Sequence, residues 1–446
     1  MIAIIGAGIS GLTLAYELQK QNTDYILLEA SGHPGGVIRS SVKDGYMLEK
    51  GPNMLLADDR LKAFIKELGL EDQIAYPLPA HRKRYIYKNG AYRPLPASPA
   101  SFLFSDFFSL KTKIDVLREL FNKSAPHQSN ETISAFFERR FNKEIADYIA
   151  DPLISGIYAG NVRELLIHKT FPFLLKMEAT YGSVLKGFIK SRKAPKKDSV
   201  SFTSGMSALT DKLAGKLAGV RYHCNVTSVG RSGQNTILYC DTGLEKIRIV
   251  AEKVVITSPA YATAAMIKQL YPVFASVLEN IQYAPIVKVF TAFDKKAVKH
   301  AMDGYGGLNP SCENQYIMGS IWNSSVYPES CPENQVLITS MVGGSMHPDY
   351  TLPDDEYIKN KVIGELKRYY TISSDPVFCS VQRIPNAIPQ FNRHILPVDA
   401  CAAELEKDGI YICASWKDGA AISDCVKKAM NMAERLNALM AGAVVC

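Results

Sequence analysis

Short apolar runs and helical periodicities alternate at the start of the chain. Ile2–Ile5 is a continuous apolar run of strand length, and Tyr25–Leu28 is a second one. Between them, residues 12–18 place apolar side chains at helical spacing. Continuous apolar strands are typical of a parallel sheet that is buried on both faces, so this pattern predicts a β-α-β unit.

Further apolar runs predict strands throughout the rest of the chain. They lie at 253–257, 287–293, 315–322, 336–342 and 409–414. The first and last resemble the opening strand, whereas the middle three suit a separate, mixed sheet. A long stretch before them has helical patterns. The predicted fold class is therefore α/β with mixed α+β character, comprising a parallel sheet, a mixed sheet and a helical insertion.

Residues 81–96, HRKRYIYKNGAYRPLP, carry a hairpin signal. Asn89-Gly90 suits a tight turn, because both residues tolerate positive φ. Alternation divides the first arm into two faces, with Arg82, Arg84, Ile86 and Lys88 on one and Lys83, Tyr85 and Tyr87 on the other. Such a basic hairpin is either a solvated edge or the wall of a site for an acidic group. Composition alone favours the solvated edge.

A glycine-rich turn follows the first strand directly. Gly6 permits the tight turn, Gly8 lets the backbone approach a pyrophosphate, and Gly11 lets the helix pack on the strand. Glu29 lies 18 residues beyond Gly11, where a carboxylate binds a ribose diol and repels the 2′-phosphate of NADP. The pattern predicts a dinucleotide site made of Gly6, Ala7, Gly8, Ile9, Ser10, Gly11, Glu29 and Ala30.

Two later segments favour FAD over a nicotinamide cofactor. A second glycine doublet, Gly35-Gly36, comes soon after Glu29 and precedes Glu49-Lys50-Gly51-Pro52-Asn53. Near the other end of the chain, the strand at 409–414 is followed by a glycine and small residues that open a helix. A nicotinamide-binding domain does not need a strand and helix from the far end of the chain, whereas an FAD domain of the glutathione-reductase type does.

Composition is that of an ordinary globular protein. The 446 residues predict two or three domains, and the net charge of +7 permits an acidic ligand without requiring one. We find no nucleic-acid motif, metal-ligand spacing or catalytic triad. Nine cysteines without a Cys-x-x-Cys pair favour free thiols in a reducing compartment. No leader and no apolar run near ~20 residues is evident, so we expect a cytoplasmic protein whose membrane contact, if any, is peripheral.

Motifs spread over nearly the whole chain resemble the flavin amine oxidase superfamily and, within it, the protoporphyrinogen oxidase family. The segment 151–165 resembles that family's D-P-x-x-x-G-x-x-x-G-D-x-x-x-L stretch, and 319–328 resembles its G-T-L-x-x-S-x-x-F-P element. Residues 83–90 resemble its K-R-Y-I…N-G hairpin, and 341–344 its F/M-V-G-G element. Asn161 replaces the usual Asp, and Ala414-Ser415 replace Gly-Asn in the tail motif.

The resemblance implies roles for individual residues. FAD is expected along Gly36, Val37, Gly51, Pro52, Asn53, Met54, Val226, Trp416, Ala420, Ala421 and Ile422, in addition to the glycine-rich turn. Arg84 is expected to bind a propionate of a porphyrinogen, which a planar guanidinium holds bidentately. Leu308, Ile321 and Met341 are expected against the macrocycle, and the backbone of Gly156 near its pyrrole nitrogens. Arg82, Lys83 and Lys88 are interpreted as solvated charge.

The implied reaction is oxidation of protoporphyrinogen IX to protoporphyrin IX in heme biosynthesis. Three hydride transfers to the flavin N5 would aromatise the ring, and O2 or another acceptor would reoxidise the flavin, with H2O2 as the product from O2. The chemistry belongs to the cofactor, so no catalytic side chain is expected. Coproporphyrinogen III is the alternative substrate. Amine oxidation and a non-catalytic flavin-binding role also stay open.

Three units are expected from these segments. Residues 1–80, 198–262 and 385–446 would form the FAD-binding unit, 81–96 and 263–384 the substrate unit, and 97–197 a helical unit. The aromatic segment 102–110 and the basic stretch Lys186–Lys197 could together seat the helical unit on an anionic bilayer or be ordinary core and linker. Whether a homodimer forms is left open.

Overall fold

The computed structural model describes residues 1–123, 130–190 and 197–440, and the helices and strands below belong to these ranges. The strands, in chain order from β1 to β20, are Ile2–Ile5, Tyr25–Leu28, Ser40–Lys43, Tyr46–Glu49, Leu55–Ala57, Ile74–Ala75, Tyr85–Lys88, Ala91–Pro94, Asp198–Phe202, Val220–Arg221, Asn225–Ser232, Asn235–Asp241, Lys246–Ala251, Lys253–Ile256, Tyr283–Asp294, Gly306–Leu308, Ile317–Trp322, Gln335–Gly343, Phe378–Pro389 and Ile410–Ile412.

The α-helices, in chain order from α1 to α17, are Ile9–Lys20, Asp59–Glu67, Pro99–Phe104, Leu110–Glu119, Ile133–Arg140, Lys143–Ile145, Asp151–Tyr158, Ile167–Thr170, Pro172–Tyr181, Val184–Lys190, Ser207–Gly215, Ala260–Ile267, Pro272–Glu279, Asn323–Val326, Asp355–Tyr370, Val398–Lys407 and Ile422–Met440. One π-helical turn, Ala146–Ala150, joins α6 to α7.

The parallel sheet brings together segments that are far apart in the sequence. Its strand order is β10-β2-β1-β14-β20, and all its pairs are parallel. Ile2 and Ile4 belong to the hydrophobic core on one side, where α1 and α17 pack. Ala3 and Ile5 belong to the core on the other side. Burial on both faces explains the continuous apolar run at β1 and confirms the predicted α/β class.

The mixed sheet has the strand order β19-β15-β18-β17-β16-β7-β8. One of its pairs, β16 with β7, is parallel and the others are antiparallel. Helix α15 covers one face with Ile358, Val362, Leu366 and Tyr370, which are fully buried at successive turns. The opposite face is turned toward the parallel-sheet unit and the helical insertion.

The strands of the mixed sheet come from residues 85–94 and 283–389. Strand β19 runs to Pro389 and so crosses the boundary placed at 384. The exact unit boundaries stay a prediction. Among the described residues, eight cysteines are free thiols, and Cys446 lies outside the described ranges. No helix there is both long and apolar enough to span a bilayer.

The hairpin forms at the predicted turn, with Asn89 at φ 53° and Gly90 at φ 85°. The solvated-edge interpretation is wrong for its first arm, because β7 lies between β16 and β8 and is buried along its length. Lys88 is only 8% exposed, and the interpretation of its charge as solvated is also wrong. Its ammonium donates to the Glu144 carboxylate at 2.7 Å and lies 4.1 Å from the Tyr148 ring centroid.

The neighbouring cations of the hairpin differ from Lys88. Lys83 forms an ion pair of 2.5 Å with Asp303 that stays about half exposed, and Arg82 is exposed. Burial alone would raise the pKa of Glu144, but hydrogen bonds from Lys88, Thr112 and Ser109 lower it to about 2. The Lys88–Glu144 pair therefore anchors the hairpin to the helical insertion.

The aromatic segment of the helical insertion divides into a buried and an exposed part. Phe107 and Phe108 pack with Ile86 in a core between the hairpin and the insertion. Phe104 and Leu110, in contrast, are 88% and 74% exposed. The basic stretch Lys186–Lys197 is described only to Lys190 and at Lys197, since residues 191–196 lie outside the described ranges.

Replacing Lys88 by Met should lower the free energy of unfolding by about 2 kcal/mol, because the half-buried Glu144 carboxylate would lose its cation and the Phe107 carbonyl its donor. Denaturant unfolding measures this change. The matched control is Lys83→Met, which breaks the half-exposed pair in the same hairpin and should cost less than about 1 kcal/mol. Equal losses in the two variants would contradict the assignment of Lys88 as a buried anchor.

Candidate active site

In the glycine-rich turn after β1, two glycines are closely packed against other atoms and one faces open space. Gly6 has φ +105°, and a Cβ there would lie 2.9 Å from the Thr257 hydroxyl. A Cβ at Gly11 would collide with the Gly6 carbonyl. A Cβ at Gly8 would have no protein atom within 4 Å. Because no side chain caps the N-terminus of α1, its first N–H groups face the same open space and suit a phosphate.

The second glycine doublet lies directly against this turn. Gly35 forms an isolated bridge with Gly8, and its N–H donates to the Ala7 carbonyl at 2.8 Å. A Cβ at Gly36 would come within 3.5 Å of the Gly8 Cα. A Cβ at Gly51 would collide with the carbonyl of Val37. The segments 6–11, 35–37 and 51–54 therefore converge on one side of the parallel sheet.

Glu29 lies at the end of β2 beside the same turn. Its carboxylate accepts from the Ala7 N–H at 2.7 Å and from the Ser31 N–H at 2.9 Å. Its carbonyl accepts from the Cys224 N–H at 2.9 Å, which brings the strand of Val226 close. Ala30 is exposed, and Val226 is 5% exposed within the core. The contact of Val226 with adenine stays a prediction.

The tail motif closes on the same side of the sheet through Lys428. Its ammonium donates to the carbonyls of Ala414 and Gly419 at 2.8 Å each and to that of Lys417. Ala420 is half-buried, Ala421 is exposed and Ile422 is buried. Trp416 is fully buried, and its indole N–H donates to the Ser258 carbonyl at 2.9 Å. Trp416 thus ties the tail motif to the residue that follows Thr257. Its contact with a cofactor stays a prediction.

The three residues expected against a macrocycle share one face of the mixed sheet. Leu308, Gly319, Met341 and Lys288 lie opposite one another in a row across β16, β17, β18 and β15. Directly opposed residues point to the same face, and Ile321 joins them two positions after Gly319. We call this surface the slot face. A Cβ at Gly319 would lie 2.9 Å from Leu308 Cδ2, so the glycine leaves room for the Leu308 side chain on this face.

Helix α7 lies over one end of the slot face. A Cβ at Gly156 would be 3.2 Å from Leu308 Cδ2, so the helix backbone approaches the sheet at this position. Gly156 lies in the last turn of α7, where carbonyls lack intrahelical partners. The structure therefore brings Gly156 and Leu308 together.

Lys288 forms the other end of the row, and the sequence analysis missed it. Its side chain is 4% exposed, and its ammonium donates to the Glu49 carbonyl at 2.9 Å and to that of Gly51. Burial lowers its pKa to about 8, against the opposing effect of the Glu49 carboxylate. The only signal in the sequence was a lysine inside the otherwise apolar strand at 287–293. This lysine links the slot face to the segment 49–51.

The Glu49 carboxylate is itself held in place. It accepts from the Ser40 hydroxyl at 2.6 Å and from the Met206 N–H at 2.9 Å. Burial raises its pKa, and these two bonds and the charge of Lys288 oppose the rise. Met206 directly precedes α11. The segment beginning at Glu49 is thus tied to α11, to Ser40 and to the mixed sheet.

Arg84 lies next to Tyr305, which lines a cavity at the edge of the slot face. Its guanidinium lies 5.2 Å from the ring centroid of Tyr305, and it donates a long bond of 3.4 Å to the His81 carbonyl. Residues lining the cavity include Glu49, Asn53, Met54, Tyr305, Ile321 and Tyr327. The structure therefore connects Arg84, through Tyr305, with Ile321 and the segment 53–54.

A second groove lies beside α15, away from these residues. Tyr316, Tyr350, Tyr357 and Arg368 line it, and none of the predicted site residues does. Within the described ranges, no group of three His, Cys, Asp or Glu side chains is placed to hold a metal ion.

The sequence matches the family model described as flavin containing amine oxidoreductase over residues 9–437. The chain belongs to this family. It is 31% identical over 372 residues to a mitochondrial protoporphyrinogen oxidase of Nicotiana tabacum, covering 74% of this chain and 73% of that protein. It is 29% identical to the coproporphyrinogen III oxidase of Staphylococcus aureus (strain NCTC 8325 / PS 47), covering 98% of both.

The crystal structure of a protein from Exiguobacterium sp. 255-15 has the same fold, with a TM-score of 0.82 at 21% identity over 98% of each chain. As a member of the flavin-containing amine oxidoreductase family, the chain of 446 residues described here is an FAD-dependent oxidoreductase.

The residues present fit FAD. The open space at Gly8 and the uncapped start of α1 suit a pyrophosphate. The buried amide oxygen of Asn53 has no hydrogen-bond partner among the described residues, and it suits a donor on the flavin ring. Glu29 keeps acceptor capacity for a ribose, since each carboxylate oxygen accepts more than one bond.

Gly8→Val should abolish FAD binding in this flavin-containing amine oxidoreductase, because the branched side chain would fill the space left for the pyrophosphate. The flavin absorbance per protein in the purified variant measures the effect. Gly215→Val is the matched control, since a Cβ at Gly215 also has no atom within 4 Å but lies at the end of α11. Retention of flavin by Gly8→Val would contradict the placement of the cofactor.

Raising the pH from 8 to 9.5 should stabilise the wild-type protein relative to Lys288→Met by about 1.5 kcal/mol. In this range the unfolded lysine, with its ordinary pKa of 10.5, holds more protons than the folded one, whose pKa is about 8. The contribution of Lys288 to the free energy of unfolding therefore rises with pH, and the variant lacks this contribution. Denaturant unfolding of both proteins measures the difference, and cysteine and tyrosine titration cancels. A constant difference would refute this assignment for Lys288.

Proposed function

We propose that this chain oxidises protoporphyrinogen IX to protoporphyrin IX in heme biosynthesis, with O2 as the acceptor and H2O2 as its product. The observation that carries the proposal is the slot face, an apolar surface with Leu308, Met341 and Ile321, beside a cavity whose Tyr305 contacts Arg84. A flat tetrapyrrole with carboxylates at its rim suits an apolar surface with a cation at its edge. Relatives named for porphyrinogen oxidation support the same substrate class.

When bound, FAD supplies the two-electron oxidation. The residues of the chain bind and orient the substrate around it. Arg84 holds a propionate at the rim, and the slot face packs against the macrocycle and excludes water from it. The carbonyl of Gly156, in the last turn of α7, is available to accept a hydrogen bond from a pyrrole N–H. No nucleophile or metal is needed for these roles.

The arrangement of charge favours protoporphyrinogen IX over coproporphyrinogen III, the alternative substrate. Coproporphyrinogen III carries four carboxylates instead of two and would require more cations. Near the cavity, Lys83 is paired with Asp303, Lys88 with Glu144, and Lys288 is bound to backbone carbonyls beside Glu49. Among the described residues of this region, Arg84 has no carboxylate partner, which suits a substrate with few carboxylates.

Amine oxidation is supported less well. Many amine oxidases of this fold line the flavin with an aromatic pair in the tail motif. Trp416 is fully buried here, and Lys417 is paired with Asp418 at 2.9 Å. Neither is available as half of an aromatic cage.

Anaerobic titration of the purified protein with protoporphyrinogen IX tests the proposal, and the flavin absorbance should bleach. A flavin that stays oxidised would leave a non-catalytic role. Porphyrin fluorescence then compares turnover of the two porphyrinogens. Faster turnover of coproporphyrinogen III would overturn the substrate preference, and peroxide release from simple amines alone would favour the amine oxidase.

The helical insertion also supports a proposal of peripheral membrane contact. Leu110, Ile114, Leu117 and Phe121 lie on one side of α4 and its extension and are 42–84% exposed, with Lys111 and Arg118 nearby. Apolar side chains bordered by cations suit an anionic bilayer surface. Flotation with vesicles containing anionic lipid would test this contact.

Arg84→Ala should raise KM for protoporphyrinogen IX about tenfold and leave the flavin content unchanged, because a charge-assisted bond to the substrate is lost. Steady-state kinetics and flavin absorbance measure the two effects. Arg82→Ala is the matched control, since this neighbouring arginine is exposed, and its KM should not change. If Arg84→Ala loses flavin instead, the arginine belongs to the cofactor site.

A further inference from the structure

The cavity beside Arg84 contains a tyrosine hydroxyl that the described residues leave unpaired. Tyr327 follows α14, and its ring lines the cavity together with Tyr305 and Ile321. Its hydroxyl oxygen is buried and has no hydrogen-bond partner. Leaving a buried hydroxyl without a partner is unfavourable, so such groups normally meet a ligand or an ordered water.

Two of the polar side chains that line this cavity already have partners. The amide oxygen of Asn323 accepts from the Thr339 hydroxyl at 2.7 Å. The two carboxylate oxygens of Glu49 accept from the Ser40 hydroxyl and the Met206 N–H. None of the described residues accepts from the Tyr327 hydroxyl, and the cavity gives a ligand access to it.

The hydroxyl is suited to donate. Burial raises the pKa of Tyr327, and the neighbouring Tyr305 and the charge of Glu49 raise it further. The group therefore keeps its proton at physiological pH. A donor of this kind, in a cavity with a cation nearby, matches a carboxylate better than an amine.

Tyr305 places the hydroxyl and the cation near each other. Its ring lies 5.2 Å from the Arg84 guanidinium and also lines the cavity with Tyr327. The two propionates of protoporphyrinogen IX lie on neighbouring pyrroles. Two donors that both neighbour Tyr305 suit such a pair of carboxylates.

The sequence adds an independent observation. The motif that 319–328 resembles, G-T-L-x-x-S-x-x-F-P, has phenylalanine at the position of Tyr327. The ring is therefore the common feature, and the hydroxyl is an addition in this chain.

We propose that the Tyr327 hydroxyl donates a hydrogen bond to the second propionate of the porphyrinogen, while Arg84 binds the first. This inference rests on the proposed function and makes Tyr327 a specificity-determining residue of the same site. The amide of Asn53 lies in the same cavity but is assigned to the cofactor.

Tyr327→Phe tests the proposal because it removes one oxygen atom and keeps the ring. We expect KM for protoporphyrinogen IX to rise about tenfold, with kcat and the flavin spectrum unchanged. With the dimethyl ester of the substrate, wild type and variant should differ by less than about twofold, since an ester is a much weaker acceptor than a carboxylate.

Tyr370→Phe is the matched control, because it removes a fully buried tyrosine hydroxyl in the core beneath α15 on the opposite face of the sheet. Its KM should equal that of the wild type. An unchanged KM in Tyr327→Phe, or an equal rise with the ester, would overturn the inference while wild-type turnover upholds the proposed function. A wild type that oxidises no porphyrinogen would refute both.

Discussion

The buried ammonium of Lys288 is the contact on which the geometry of the site depends. It extends from the mixed sheet to the carbonyls of Glu49 and Gly51, which belong to the segment beside the glycine-rich turn. Burying a charge is costly, and the two carbonyls and the nearby Glu49 carboxylate offset the cost. Because these bonds join the mixed sheet to the end of β4, they set the separation between the slot face and the segment where the flavin ring is expected.

The other charges around the site are arranged so that one cation stays available. Lys88, next to the hairpin turn, is paired with Glu144, and Lys83, which precedes β7, is paired with Asp303. Arg84, between them, contacts the Tyr305 ring and a backbone carbonyl. The other two of the five Lys and Arg residues in 81–96 are Arg93, which is paired with Asp106, and Arg82, which is exposed. In the proposed function, one cation and neutral donors would bind the acidic rim, which suits a substrate with few carboxylates.

Several parts of the site were predictable because they depend on local sterics. Gly6, Gly8 and Gly11 occupy the positions that the β-α turn requires, and Asn89-Gly90 forms the expected hairpin turn. The burial of Lys88 and the unpaired hydroxyl of Tyr327 were not predictable. Alternation places Lys88 on a face of the hairpin, but whether water or the helical insertion covers that face depends on residues such as Glu144 and Phe107, which are distant in sequence.

The sequence by itself determined the β-α-β unit, the FAD class and the family, since these depend on short segments whose spacing is set by backbone geometry. Only the tertiary structure decided which side chains meet across the gap. Leu308, Gly319, Met341 and Lys288 become neighbours through the register of four strands, and Lys288 reaches a segment more than two hundred residues earlier. Register and burial are properties of the packed chain, because the free energy of each buried group depends on partners that the local sequence does not contain.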